Sequence, residues 1–247
     1  LADLTLRGEI GYPSALTAQT WGFYDVSFNG NIFSFSRPYG CYVMENILFK
    51  ISFPAEFHSQ TAAEAAVKLH PLVKDRLDNI ERIVIHTQES AIRIISKVGP
   101  LNNPADRDHC LQYMTAVPLA FGNLTAQDYE DSFHKAHPII DELREKMEIH
   151  EDPRYTREYM EADKRSIGNA LQIFFKDGNH TDKVEIDYPV GHKRRRSEGI
   201  PLLEKKFQTN LASHFPAGRC NHIYFQCKDQ KRLEQTPVNE FMDLLMI

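Results

Sequence analysis

One stretch concentrates side chains that can do chemistry. Lys50-Ile-Ser-Phe-Pro-Ala-Glu-Phe-His-Ser-Gln-Thr61 sets a lysine, a glutamate, a histidine, a serine and a glutamine around one proline. A residue preceding proline is driven toward extended backbone, so Phe53 and Pro54 interrupt regular structure and leave Lys50 and His58 near the ends of two elements. Polar groups at element ends can converge on a cleft, with an ammonium to hold negative charge and an imidazole to carry a proton near neutral pH. The alternative is a solvated loop with a Ser or Thr at a helix start.

Two further groups of side chains bear on chemistry. Gly191-His-Lys-Arg-Arg-Arg196 is a basic loop, and arginine forks suit carboxylates. Lys193, Arg194 and Arg195 are its candidate ligand contacts, set against a merely solvated charged loop. A helix over about 108–121 carries Tyr113 one turn after His109, which predicts one shared face.

Elements must position these groups. Apolar residues at helical spacing predict a helix over 61–77, kinked or restarted at Pro71. Residues 80–86 are β-branched and partly alternating, hence a strand, and 91–95 is an apolar segment of uncertain type. Residues 99–104 read as a loop, with Asp106 and Asp108 at the start of the helix that follows and Gly122 as its stop. Residues 138–147 and 163–169 are amphipathic helical candidates separated by a turn at 151–154. Residues 170–176 and 183–188 alternate and flank Asp177 and Gly178, which predicts a hairpin. Helices are expected over about 201–215, 221–231 and 237–245. Near the start, a turn and a short helix from Pro13 or Ser14 precede Gly22, Trp21 is expected as a packing anchor, and the Asn-Gly-Asn turn within 28–35 predicts another hairpin. Helix followed closely by strands fits an α+β layer.

Composition narrows the function classes. The 247 residues have a net charge of -5, are 42% hydrophobic and 26% charged, which suits a globular protein of one or two domains and gives no electrostatic reason to expect nucleic acid. No apolar run approaches the ~20 residues that span a bilayer, and no signal pattern opens the chain, so a cytoplasmic location is expected. Cys41, Cys110, Cys220 and Cys227 form no closely spaced pair, which speaks against a zinc site, a disulfide framework or an iron-sulfur cluster. The chain opens on Leu1 rather than Met, and a fragment is expected.

Several blocks together resemble the C-terminal half of the MmgE/PrpD family. They are Leu6-Arg-Gly-Glu-Ile-Gly-Tyr-Pro-Ser-Ala-Leu-Thr-Ala18, Arg37-Pro-Tyr-Gly40, Glu45 to Thr61, Gly99-Pro-Leu-Asn-Asn-Pro-Ala-Asp-Arg-Asp-His-Cys-Leu-Gln-Tyr113, Tyr188-Pro-Val-Gly-His192, and Glu234-Gln-Thr-Pro-Val-Asn-Glu-Phe-Met-Asp243. The resemblance implies a larger helical domain and a smaller α+β domain with the active site between them. On that pattern, 1–21 ends the helical domain, 22–190 is the α+β domain, and 191–247 returns as C-terminal helices to the helical one. The resemblance also implies a homodimer and a hydro-lyase, free of cofactor and metal, that dehydrates the tricarboxylate 2-methylcitrate to 2-methyl-cis-aconitate in propionate catabolism. Lys50, His58 and Tyr113 match the positions of its catalytic lysine, loop histidine and helix tyrosine. Beside them, His109, which could equally pair with local acids, and Lys193, Arg194 and Arg195 of the basic loop are the candidate substrate contacts. Family members are about twice this length, and further acid/base groups lie in their upstream half. Two alternatives stand beside this reading: a cis-aconitate decarboxylase-like enzyme, and an inactive dimerising or ligand-binding remnant.

Overall fold

The computed structural model describes residues 1–35, 40 and 42–246. The chain divides into two compact units, Leu1–Glu45 and Asn46–Ile247.

The first unit contains α1 (Ala2–Leu6) and α2 (Phe23–Phe28), and α3 (Tyr42–Asn46) spans the boundary in the chain. The hairpin expected over 28–35 does not form. Asn29 and Gly30 do take positive φ, 51° and 77°, but they end α2, with the Gly30 N–H donating to the Tyr24 carbonyl at 3.0 Å. The same left-handed turn chemistry serves helix caps and hairpins alike. The aromatic residues that suggested strands pack on one another instead, Phe28 on Phe33 and Phe33 on Phe35. Residues 13–17 are successive turns rather than a helix, and Trp21 is exposed rather than a packing anchor. A unit this small has little interior in which to bury an indole. Three residues of the Arg37–Gly40 block lie outside the described residues.

The second unit is built on a mixed four-stranded sheet in the order β2-β1-β3-β4. Its first helix, α4 (Gln60–Val73), runs through Pro71 without a break, because the proline falls in the last turn and Lys74 still donates to the His70 carbonyl. Strand β1 (Ile80–Thr87) follows, and the ambiguous segment after it is helix α5 (Glu89–Ile95). The helix expected over 108–121 is two: α6 (Pro104–Asp108) and α7 (Leu111–Phe121). Asn103 caps α6, accepting from the Asp106 N–H at 2.9 Å with Pro104 at the first position, where no N–H is needed. Gly122 ends α7 at φ 80°.

Next come α8 (Asp131–Ala136), α9 (Ile139–Glu145) and β2 (Met147–Glu151), a parallel edge strand that pairs Ile83 with Met147 and Ile85 with Ile149. The expected turn at 151–154 is a helix start. Asp152 accepts from the Arg154 N–H at 2.8 Å, and α10 (Pro153–Met160) follows. Residues 163–169, expected to be helical, turn back through Arg165 at φ 45° and enter β3.

Strands β3 (Asn169–Phe175) and β4 (Val184–Ile186) are the predicted antiparallel pair. β3 also runs antiparallel to β1, pairing Ile83 with Ile173 and Ile85 with Leu171. These four residues form one buried face, closed by Ala62, Ala66 and Leu69 of α4 and Met114 and Val117 of α7. Helices α11 (Arg196–Ala212), α12 (Ala217–Lys228), α13 (Gln230–Gln235) and α14 (Val238–Leu245) complete the unit. The fold class is α+β, as the sequence predicts.

Candidate functional site

The loop between Lys50 and α4 is held by its own side chains. The Gln60 amide donates to the carbonyls of Phe53 and Ala55, both at 2.9 Å, and Ser59 Oγ donates to the Glu56 carbonyl at 2.6 Å. Asn169, fully buried at the head of β3, donates to the His58 carbonyl at 2.8 Å and to Thr61 Oγ1 at 2.7 Å. A proline-bearing loop with few main-chain bonds of its own thus becomes a fixed mount for His58.

The imidazole is buried between two polar partners. Nδ1 lies 2.8 Å from Glu56 Oε1, and Nε2 lies 3.3 Å from the Tyr159 hydroxyl on α10. Glu56 also accepts the His58 main-chain N–H at 2.8 Å. Burial pushes the Glu56 carboxyl upward, but hydrogen bonding and attraction from the His58 ring, together with the His58 and Phe57 N–H groups, outweigh it and hold the group below the usual carboxylate range. An ionised carboxylate only accepts, so it takes the proton on Nδ1 and leaves Nε2 to receive the Tyr159 O–H.

Lys50 is exposed, with Nζ 5.0 Å from the centroid of the Phe57 ring. Lys50 thus lies beside Phe57, the residue that precedes His58 in the chain. The lead-in to Lys50 also touches the basic segment: the Phe49 N–H donates to the Gly191 carbonyl at 3.3 Å, Lys193 Nζ donates to Asn46 Oδ1 at 3.1 Å, and Arg196 Nη2 donates to the Ile47 carbonyl at 2.7 Å. Gly191 has φ 101°, and a Cβ there would stand 2.1 Å from the Phe49 carbonyl oxygen, so only glycine permits this approach.

Within the basic segment the side chains have distinct neighbours. Arg194 is exposed, donates to the Asp163 carbonyl at 3.2 Å and lies over the Tyr188 ring. Arg195 forks onto Glu64 of α4 at 2.8 and 3.1 Å, and also reaches Glu198 and the Tyr188 carbonyl. His192, buried, caps the turn by accepting the Arg194 N–H at 3.1 Å, while Nε2 donates to the Lys164 carbonyl. Burial drives its pKa down to about 4; the Lys164 carbonyl opposes that, and Lys193, Arg194 and Arg196 add to it.

Tyr113 and His109 are not brought to this cluster as a pair. The break between α6 and α7 separates them: His109 is exposed with Nδ1 2.5 Å from Asp108 Oδ1, whereas Tyr113 is fully buried. The one-face expectation therefore fails, because two residues share a helical face only within one continuous helix. The Tyr113 hydroxyl donates to the Asp128 carbonyl at 2.6 Å, its ring stacks on Tyr129, and burial raises its pKa far above the ordinary phenol value.

Glu56, Tyr159 and Asn169 are the residues that sequence reasoning left without a role. Glu56 carried a signal, a carboxylate two residues before a histidine at a helix start. Tyr159 lies 101 residues from His58 in the chain, and no spacing announces it. Among the described residues, no group of three or more His, Cys, Asp or Glu side chains is arranged to hold a metal ion. A cavity of about 450 Å³ opens elsewhere on the unit, between the loop at Gly99 and α9, lined in part by Lys97, Gln112, Asp141 and Arg144.

A mixed sheet backed by helices, with a lysine and a carboxylate-held histidine on one loop fixed by side-chain hydrogen bonds, defines an α+β unit. The MmgE/PrpD C-terminal domain matches residues 53–230, and the chain belongs to that family. It is 56% identical to 2-methylcitrate dehydratase of Salmonella typhimurium over 100% of this chain and 52% of the relative. The 2-methylcitrate dehydratase of Cupriavidus necator is 57% identical over 100% and 51%, and the mitochondrial 2-methylcitrate dehydratase of Yarrowia lipolytica is 53% identical over 99% and 47%. The chain spans about half the length of the curated relatives it matches. No helix among the described residues is long and apolar enough to cross a membrane.

Proposed function

We propose that this chain acts as the C-terminal part of a hydro-lyase that converts 2-methylcitrate to 2-methyl-cis-aconitate and water, in propionate catabolism. The observation that carries the reading is the likeness to 2-methylcitrate dehydratases over all or nearly all of the chain, with the Lys50–His58 loop inside it. Dehydration removes a proton from a carbon beside a carboxylate and releases hydroxide, which leaves as water once protonated. The Lys50 ammonium offsets the negative charge that gathers on the carboxylate side, and His58 moves a proton at Nε2. The basic segment beside the Lys50 lead-in, chiefly Lys193 and the exposed Arg194, attracts the trianionic substrate. Arg195, committed to Glu64, fixes that segment to α4, and His109, exposed and paired with Asp108, is kept as a candidate substrate contact. Tyr113 contributes from the core, by holding the segment at Asp128 against α7. The remaining acid/base groups belong to the portion of the relatives that this chain does not span.

The reading carries with it a homodimer in the cytoplasm, a small-molecule tricarboxylate substrate and no nucleic-acid partner, the last supported by a net charge of -5. It also assigns 1–21 and 191–247 to a helical domain and 22–190 to an α+β domain. The test is ultraviolet absorbance of the unsaturated acid, with the purified chain, 2-methylcitrate and a chelator. Product formed by this chain alone would place a complete site within it. Absence of product together with a raised Tm on adding 2-methylcitrate supports a half-site that needs its upstream partner, and absence of both would overturn the reading.

A further inference from the structure

Two side chains, Glu56 and Tyr159, grip the His58 imidazole at its two ring nitrogens. We propose that Glu56 is a positioning residue that commits His58 to one tautomer, with the proton on Nδ1 and the lone pair on Nε2, and that Tyr159 occupies Nε2 until a ligand displaces it. The proposal rests on the reading of His58 as the proton carrier, but its geometry is independent of the substrate.

Three observations carry it. Glu56 bonds the ring nitrogen and the main-chain N–H of the same residue, at 2.8 Å each, so the carboxylate fixes the ring relative to its own backbone. Asn169 fixes that backbone from β3 through the His58 carbonyl. Tyr159 reaches the opposite nitrogen from α10, its ring centroid 5.5 Å from that of His58, at a contact of 3.3 Å, long for a hydrogen bond. A long, singly held contact is the one of the set that a substrate carboxylate or hydroxyl can replace. The groups facing the ring are then Glu56 from its own turn and Tyr159 from α10. A base fixed at one nitrogen needs no tautomer exchange before it accepts a proton, which is what positioning by a carboxylate supplies.

The experiment is two-bond 1H–15N correlation spectroscopy on the chain labelled at histidine nitrogens, with the His58 signals assigned by their loss in His58→Gln. In the wild type at high pH, His58 is expected as the Nδ1–H tautomer. An Nε2–H pattern for His58 in that spectrum would overturn the proposal. In Glu56→Ala the population is expected to shift toward Nε2–H; an unchanged tautomer would remove Glu56 from the role. In Tyr159→Phe the tautomer is expected to stay while the Nε2 resonance moves, and an unmoved resonance would remove Tyr159. Adding 2-methylcitrate separates the two readings. If the tautomer is as stated but the ligand leaves every His58 signal unchanged, the positioning stands and the substrate assignment falls.

Discussion

Arg107 offers the sharpest test of how the fold is anchored, because a guanidinium only 2% exposed sits inside the block that carries much of the family likeness. Its Nε donates to the Tyr129 carbonyl at 2.7 Å, Nη1 to the Leu101 carbonyl at 3.3 Å and toward His134 Nδ1, and Nη2 pairs with Asp131. Arg107→Met keeps an unbranched stem out to the position of Nε and removes every donor. The Leu101 and Tyr129 carbonyls belong to buried residues, and orphaning each costs roughly 1–3 kcal/mol. Relief from burying a charge offsets part of that, so the net loss is about 3 kcal/mol, intermediate between a neutral swap and a broken buried pair. At this chain length each kcal/mol lowers Tm by roughly 2–4 °C, which gives about 6–12 °C. The assay is urea and thermal unfolding followed by circular dichroism. Asp131→Asn is the control: that carboxylate is 73% exposed, and its loss should cost no more than about 1 kcal/mol. A loss below about 1 kcal/mol for Arg107→Met would mean that other donors reach the two carbonyls, and the reasoning from buried acceptors would be refuted.

Gly191→Ala drives a Cβ into the Phe49 carbonyl at a φ that L-residues avoid, so about 1–3 kcal/mol is lost and the Phe49 amide, bonded to Gly191, exchanges faster in hydrogen-exchange measurements. Unchanged protection would contradict the close approach. Tyr113→Phe orphans the Asp128 carbonyl and is expected to cost about 1–2 kcal/mol in urea, with the circular dichroism spectrum unchanged; a stability equal to wild type would detach the hydroxyl from the core. His192 has a folded pKa depressed to about 4 from an ordinary value near 6.5. The unfolded chain therefore binds the proton first, and the stability that neutral His192 contributes is complete above about pH 6.5 and lost as pH falls toward 4. The urea midpoint should drop between pH 7 and pH 5, and drop less in His192→Gln; parallel decline in both proteins would remove His192 as the cause.

Much of the fold is legible in local pattern. The β-branched run of β1 and the alternating residues around Asp177 and Gly178 announce their strands, because a two-residue period and a turn dipeptide are local signals. β2 is not legible. Met147–Glu151 is short, half polar and an edge strand, and only pairing with a strand some sixty residues earlier makes it one. Turn chemistry misleads where one dipeptide serves two ends. Asp152 and Pro153 look like a turn and are a cap with its first helical residue, while Asn29 and Gly30 look like a hairpin and close a helix. The site divides in the same way. Lys50, Glu56 and His58 stand within nine positions and can be read together, but Tyr159 and Asn169 arrive through tertiary packing. The helical reading of 108–121 extends periodicity across His109 and Cys110, where the backbone turns, and so joins an exposed histidine to a buried tyrosine.

The most direct measurement supplies this chain with the upstream half of the Salmonella typhimurium relative and follows the unsaturated acid formed from 2-methylcitrate, for the wild type, Lys50→Met and His58→Gln. Product formation by the wild type is expected, with rates lower by about 100-fold or more in each variant, the scale on which a charge-stabilising group or a proton carrier acts. Product at equal rates in all three would contradict the role of the loop at its root.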